Sequence, residues 1–305
     1  MRRLLCLAIA CAMAAPVSAV TLDGSIAGDG YSLVATQTVD TGFGDNFSEL
    51  DAAWGQVQGG VLYVTLTGNL EGNFNKLNIF IDSVAGGENV ITLPFGSGGN
   101  NPGNDNWANK YAGFTFDAGF AADYMLINRR GNGNTYDFDF NSVGNPGLVE
   151  ASGNIFGGSM SGVNPSVGAS ALGVAFDNSN VAGIGGGTGA ANAAAAQAVM
   201  TGLELAIPLS AIGNPGPGAC IKISAMVNGS NHDFLSNQFL GGLPAGQGNL
   251  GGDGAGGFNG TVGMINLNNY AGNQHFEVCI VPEPASLALL GLSLVGLVCG
   301  RGRRG

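Results

Sequence analysis

The sequence predicts an all-β fold, an antiparallel β-sandwich whose strands are joined by long Gly/Asn-rich loops. Three observations carry this. Short apolar runs recur with period two and are rich in β-branched and aromatic residues, the pattern of half-buried strands. The 55 glycines gather at 96–103, 157–168, 183–189 and 241–260, often beside Asn. Both residues accept positive φ, so these stretches read as loops. Helical patterns are few.

Taken in order, strands are expected at 61–67, 77–82, 124–128, 135–140, 203–207, 219–227 and 275–281. Two helical stretches are expected, at 105–110 with Asp105 as N-cap and at 190–198 in an Ala-rich run. Many strands and few helices place the segment 20–281 in one sandwich.

The two ends read as targeting segments. Arg2 and Arg3 precede an apolar run at 4–15, and Val17-Ser18-Ala19 supplies small residues for cleavage after Ala19. A retained anchor is disfavoured because the run is short and ends in Pro16. A lipoprotein cut before Cys11 is disfavoured because Ala8-Ile9-Ala10 follows a very short apolar stretch. At the other end, residues 285–300 carry no charge. As a helix they would reach roughly 24 Å against a hydrocarbon core of ~30 Å, so spanning needs local thinning or help from the flanks. Arg301, Arg303 and Arg304 follow and belong on the cytoplasmic side. Pro282 and Pro284 keep the chain extended ahead of the helix, in a form a processing enzyme can grip.

Pro282-Glu283-Pro284, the apolar segment 285–300 and the basic terminus together resemble the PEP-CTERM sorting signal of Gram-negative bacteria. The resemblance covers 282–305. It implies recognition by an exosortase-like membrane enzyme, with Pro282, Glu283 and Pro284 as recognition residues. It further implies transient inner-membrane anchoring, then a place at the cell surface or outside it, in association with exopolysaccharide. The tail would act as a removable anchor.

Composition narrows the partners. Five of the ten Lys and Arg lie in the targeting segments, leaving Lys76, Lys110, Arg129, Arg130 and Lys222 against twenty acids. A formal charge of −15 repels nucleic acid and anionic lipid, and suits cations and neutral glycans. Of five cysteines the body keeps Cys220 and Cys279, both in strand-like runs. In an oxidising compartment these predict a disulfide between neighbouring strands. Two cysteines without CxxC spacing do not predict a metal site.

Leu22-Asp23-Gly24, Asp51-Ala52-Ala53-Trp54, the run 61–68 and Phe80-Ile81-Asp82 look like the DOMON and family-nine carbohydrate-binding jelly rolls. Phe116-Asp117 with Phe120 and Asp123-Tyr124 is similar to another stretch of such domains. The resemblance spans about 20–140 and implies a glycan-binding jelly-roll-like module. No haem-binding Met/His pair maps onto it.

Within the body, Trp107 and Tyr111 are the candidate glycan contacts, four residues apart beside an Asn-Gly loop. Trp54 reads as core. Asp82, Asp117, Asp137 and Asp139 are the candidate ligands of a structural Ca²⁺, with an outward acidic face as the simpler reading. Gly185-Gly186-Gly187-Thr188-Gly189-Ala190, with Glu204 downstream, fits GxGxxA but lacks βαβ context. His232, Asp233 and Ser236 hold the side chains of a hydrolase triad without a nucleophile elbow. No motif selects a pair among the acids for glycosidase chemistry. The expectation is therefore a noncatalytic, cofactor-free surface or extracellular-matrix protein with glycan-binding capacity. The alternatives are an extracellular carbohydrate-active enzyme and a purely structural biofilm-matrix component.

Overall fold

The computed structural model describes residues 19–92, 110–131, 135–143, 149–156, 172–253, 256–257 and 261–281, with backbone alone at 135 and 149–156. Two antiparallel sheets pack face to face. Sheet 1 runs β1 (Ser32–Thr36), β2 (Glu49–Gln58), β3 (Val61–Asn69), β9 (Gly202–Pro208), β8 (Gly173–Phe176). Sheet 2 runs β11 (Leu235–Leu240), β10 (Cys220–Asn228), β4 (Lys76–Asp82), β5 (Tyr124–Arg130), β6 (Thr135–Ser142), β7 (Val149–Phe156). A short β12 (Phe276–Cys279) lies on the same edge of β10 as β11, along its first half.

The main core is the alternation made physical. Leu62, Val64 and Leu66 of β3 and Leu203, Leu205 and Ile207 of β9 face Leu77, Ile79 and Ile81 of β4, Ile221 and Ile223 of β10, and Phe138 and Phe140 of β6. Each such side chain contributes roughly 1.5–3 kcal/mol on leaving water. A second core lies on the other face of sheet 2. There Phe80, Met125, Ile127, Met226, Leu235 and Phe239 are roofed by Tyr111, Phe114, Phe116, Leu250 and Val262. Sheet 2 is therefore covered on both faces, and β4 and β10 are buried nearly throughout.

The Ala-rich run forms a helix, α1 (Ala193–Ala198), three residues shorter than expected at its start. Asn192 ends it there, its Oδ1 accepting from the amides of Ala194 (3.1 Å) and Ala195 (3.2 Å). The expected stretch 105–110 lies outside the described residues except for Lys110. Strands β1, β2, β7, β8 and β11 were not read from the sequence.

Cys220 and Cys279 stand opposite each other at the first rung of the β10–β12 ladder and are joined by a disulfide. Their Cα atoms are 3.9 Å apart, closer than the roughly 4.4–6.8 Å of most disulfides. The bond from the Ile280 amide to the Ala219 carbonyl (2.8 Å) makes this a non-hydrogen-bonded pair, the closer kind in an antiparallel ladder. At its other end β10 finishes with Asn228 opposite Lys76, beside the β3–β4 turn. Strand β10 thus runs from the exit of the C-terminal tail to the opposite end of the sandwich. Among the described residues no helix is long and apolar enough to cross a membrane; the segment 285–300 lies outside them.

Candidate functional site

At the end of the sandwich away from the tail, the starts of β2 and β4 and the end of β3 meet the loop that follows β8. A β-bulge shapes the start of β2. Leu50 pairs with Gly68 and Ala52 with Thr67, so Asp51 is the extra residue. The bulge lets Leu50 and Ala53 both reach the main core three residues apart. It turns Asp51 toward the loop at 177–184, where its Oδ1 accepts from the Ile184 amide (2.9 Å). Gly183, at φ 139°, lies so close to this carboxylate that a Cβ would strike it at 2.1 Å. Glu49, two residues earlier, accepts from the Asn46 amide (2.9 Å).

Asn180 ties these groups together. Its Nδ2 lies 3.2 Å from Glu49 Oε1, 3.4 Å from Asp51 Oδ2 and 3.0 Å from Asn69 Oδ1, and also reaches the Ala182 carbonyl. An amide nitrogen has two protons to give, and four oxygens converge on it. Burial pushes the Glu49 carboxyl up to about 7, with Asp45 adding to it and the Asn46 amide opposing. Burial, reinforced by Glu49, pushes Asp51 up to about 8, against the Ile184 amide. At neutral pH the pair therefore holds at least one proton. The same oxygens are the hard donor type that Ca²⁺ takes. A narrow crevice lined by Glu49, Asn69, Leu50, Leu70, Leu77 and Val227 lies beside them, with room for about one water.

Two aromatic rings stand exposed at this end. Phe47 is 57 % and Phe74 45 % exposed. They flank one contact: Ser48 Oγ accepts from the Glu71 amide (3.1 Å) and from Asn75 Nδ2 (3.3 Å). Polar side chains border them, with Asn46 donating to Asp45 (2.9 Å) and Asn73 to Glu71 (2.7 Å). Val181, in the loop that carries Asn180, is also exposed.

None of these residues was singled out as a site by the sequence, and those that were lie elsewhere where the structure describes them. Tyr111 is a correction: it is wholly buried in the second core, not presented to a sugar. Its hydroxyl lies 3.3 Å from Asn78 Oδ1 and accepts from Asn228 Nδ2 (3.0 Å), and its ring packs edge-on to Phe80 and Phe114. Trp107 lies outside the described residues, as do Pro282, Glu283, Pro284, Arg301, Arg303 and Arg304. Trp54 is a second correction: it is half-buried and faces away from the main core. The four aspartates offered for calcium fall into two separate groups, each beside basic side chains of the protein. Arg129 lies 2.9 Å from Asp139 and 3.9 Å from Asp137. Asp82 lies 3.8 Å from Lys222, and Asp117 lies 3.4 Å from His275.

Gly186 bridges to Thr41 within a loop, and α1 beyond it has six residues. Glu204 holds the N-terminal turn, accepting from the Asp23 and Gly24 amides (2.8 Å each) and the Tyr31 hydroxyl (2.6 Å). Burial raises its pKa against those three donors. Ser236 Oγ accepts from the Gln238 amide, while the His232 ring lies edge-on to Tyr111. Among the described residues, one trio of metal-type ligands falls within 4.8 Å, Cys220, Glu277 and Cys279, and its sulfurs are bonded to each other.

What the chain is similar to is written in its tail. A family model for the PEP-CTERM protein-sorting motif matches residues 281–304. The motif indicates exosortase-dependent export and surface sorting, a route of Gram-negative bacteria. No curated protein and no solved structure matches the chain.

Proposed function

We propose that this exosortase-sorted chain is a noncatalytic protein of the cell surface or extracellular matrix that binds neutral glycan of the exopolysaccharide layer through the loop end carrying Phe47 and Phe74. The observation that carries the reading is the exposure of these two rings on amide- and carboxylate-rich ground, at the end of the sandwich opposite Cys279. Exposed aromatic surface rimmed by polar groups marks a contact site. The body's charge of −15 disfavours anionic ligands and leaves neutral sugars acceptable. The resemblance of 20–140 to carbohydrate-binding jelly rolls agrees. Affinity electrophoresis of the chain through neutral polysaccharides, with and without Phe47→Ala and Phe74→Ala, tests it. Retardation should fall at least about tenfold in the double variant, which corresponds to roughly 1.4 kcal/mol, with the melting temperature unchanged. Equal retardation of both proteins rejects the site.

The second reading is a carbohydrate-active enzyme. Glu49 and Asp51 favour it, because two carboxyls with raised pKa values share one partner, Asn180. Sugar release by the wild-type chain, lost in Glu49→Gln, would move the assignment there.

A further inference from the structure

We propose that Cys220, Cys279 and Glu277 form a Zn²⁺ site that exists while the two cysteines are reduced and is abolished when their disulfide forms. The site lies at the far end of β10 from Phe74 and does not rest on glycan binding.

All three side chains stand on one face of the β10–β12 ladder. Glu277 and Cys279 are two residues apart on β12 and point outward, while Phe276 and Val278 enter the main core. Cys220 is directly opposite Cys279, and Lys222 is opposite Glu277. The two sulfurs and a Glu277 carboxylate oxygen lie within 4.8 Å of one another. A tetrahedral Zn²⁺, with bonds of about 2.0–2.3 Å to oxygen and sulfur, needs its ligands about 3.5–3.8 Å apart. Once the S–S bond is gone, rotation of these solvent-facing side chains covers the difference. Lys222 is drawn away from the trio, its Nζ donating to the Gly119 carbonyl and lying 3.8 Å from Asp82. Two thiolates and one carboxylate are a donor set that Zn²⁺ takes, with its fourth position on the solvent side.

The ladder that presents these ligands has its own supports besides the bond. Phe276, Val278 and Ile280 are 4 %, 3 % and 8 % exposed. The Ile280 amide donates to the Ala219 carbonyl (2.8 Å), and the Gly218 amide donates to the Ile280 carbonyl (2.9 Å). These contacts keep β12 on β10 with the two cysteines side by side. An exported chain carries the pair first as thiols, because the bond forms only in an oxidising compartment. A dithiol restores that state afterwards. Its thiolate attacks one sulfur and the S–S bond breaks. Its second thiol then resolves the mixed disulfide, so the dithiol leaves oxidised and each cysteine holds a proton. Zn²⁺ displaces those two protons to solvent, and no electron moves. Metal and disulfide use the same sulfurs, so each excludes the other.

The test uses the full chain in mild detergent with Cys6→Ser, Cys11→Ser and Cys299→Ser, which leaves Cys220 and Cys279 as its cysteines. The chain is reduced with dithiothreitol, freed of it by anaerobic gel filtration, and titrated with Co²⁺ as a coloured substitute for Zn²⁺. The reduced chain should take up a single equivalent, with a thiolate-to-metal charge-transfer band and the intense visible bands of a tetrahedral site. Zn²⁺ should abolish both. The oxidised chain should show neither. Glu277→Gln should weaken Co²⁺ binding at least about tenfold, or roughly 1.4 kcal/mol, with β-type circular dichroism equal to that of the reduced parent. Saturating Zn²⁺ should raise the melting temperature of the reduced chain and leave that of the oxidised chain unchanged. Absence of the charge-transfer band in the reduced chain overturns the proposal, as does the same band in the oxidised one. Equal Co²⁺ affinity in Glu277→Gln overturns it too, because the cysteines would then act without the carboxylate. One metal per two chains, or a reduced chain that has lost its β-type circular dichroism, also overturns it, because the site needs the ladder of a single folded chain.

Discussion

Asp51→Asn probes the chemistry of the candidate site most directly. Burial raises the Asp51 carboxyl from 3.8 to about 8. The folded chain therefore keeps this proton between about pH 4 and pH 8, whereas the unfolded chain has released it. The stability this proton supports is fully present below pH 4 and is lost as pH rises through 8. The slope approaches 1.36 kcal/mol per pH unit for one proton. Over four units the gap corresponds to on the order of 5 kcal/mol. Asparagine cannot ionise, and its Oδ1 keeps the bond from the Ile184 amide. The variant should match wild type near pH 4 and exceed it by several kcal/mol at pH 8–9. Urea unfolding followed by circular dichroism at pH 4, 6 and 8 measures this. The difference between the two proteins removes the contribution of Glu204, whose pKa is also raised, whereas that of Glu49, coupled to Asp51, stays in it. If the difference is flat with pH and the variant is weaker throughout, Asp51 is ionised in the fold and the reasoning is wrong.

Other outcomes are expected. Changing Pro282, Glu283 and Pro284 to Ala should leave an unprocessed form in the native host, seen as altered electrophoretic mobility and location. Tyr111→Phe should cost about 1–3 kcal/mol by leaving the Asn78 and Asn228 amides short of a buried partner, and Tyr111→Ala about 3–5 kcal/mol by opening a cavity; chemical denaturation separates the two. A chain ending at Val281 should unfold cooperatively with β-type circular dichroism. Reduction should cost it about 4 kcal/mol for a loop of this size, read as a lower melting temperature.

The parts of the fold legible in the sequence were those where one strand carries its own pattern. The run 61–67 alternates apolar and polar side chains because β3 has a core face and an outer face. Strand β2 hid because Glu49, Asp51, Gly55 and two Gln break any apolar pattern; it is a strand because β1 and β3 pair with it on both sides. Strand β11, L-S-N-Q-F-L, hid because its amides are satisfied by distant segments, with Gln238 Oε1 accepting from Leu50 of β2 and from Gln37. The candidate site was invisible for the same reason. Asn180 is 131 positions from Glu49, and nothing local announces that they meet. Tyr111 was misread because a Gly/Asn-rich neighbourhood suggests exposure. Here such loops carry the wall of the second core.

The order of strands in the sheets is also an order of events. Strand β3 meets β9 through pairs from Val61–Pro208 to Thr67–Gly202, and β4 waits for β10, which in turn waits for β12. During export the early strands emerge long before their neighbours, and pairings so distant along the chain form slowly. No leading fragment holds a finished core. Sheet 1 has all its strands once β9 has emerged, and sheet 2 receives its last edge strand, β12, directly ahead of the sorting motif. The sorting motif therefore emerges last, behind every described strand of the body.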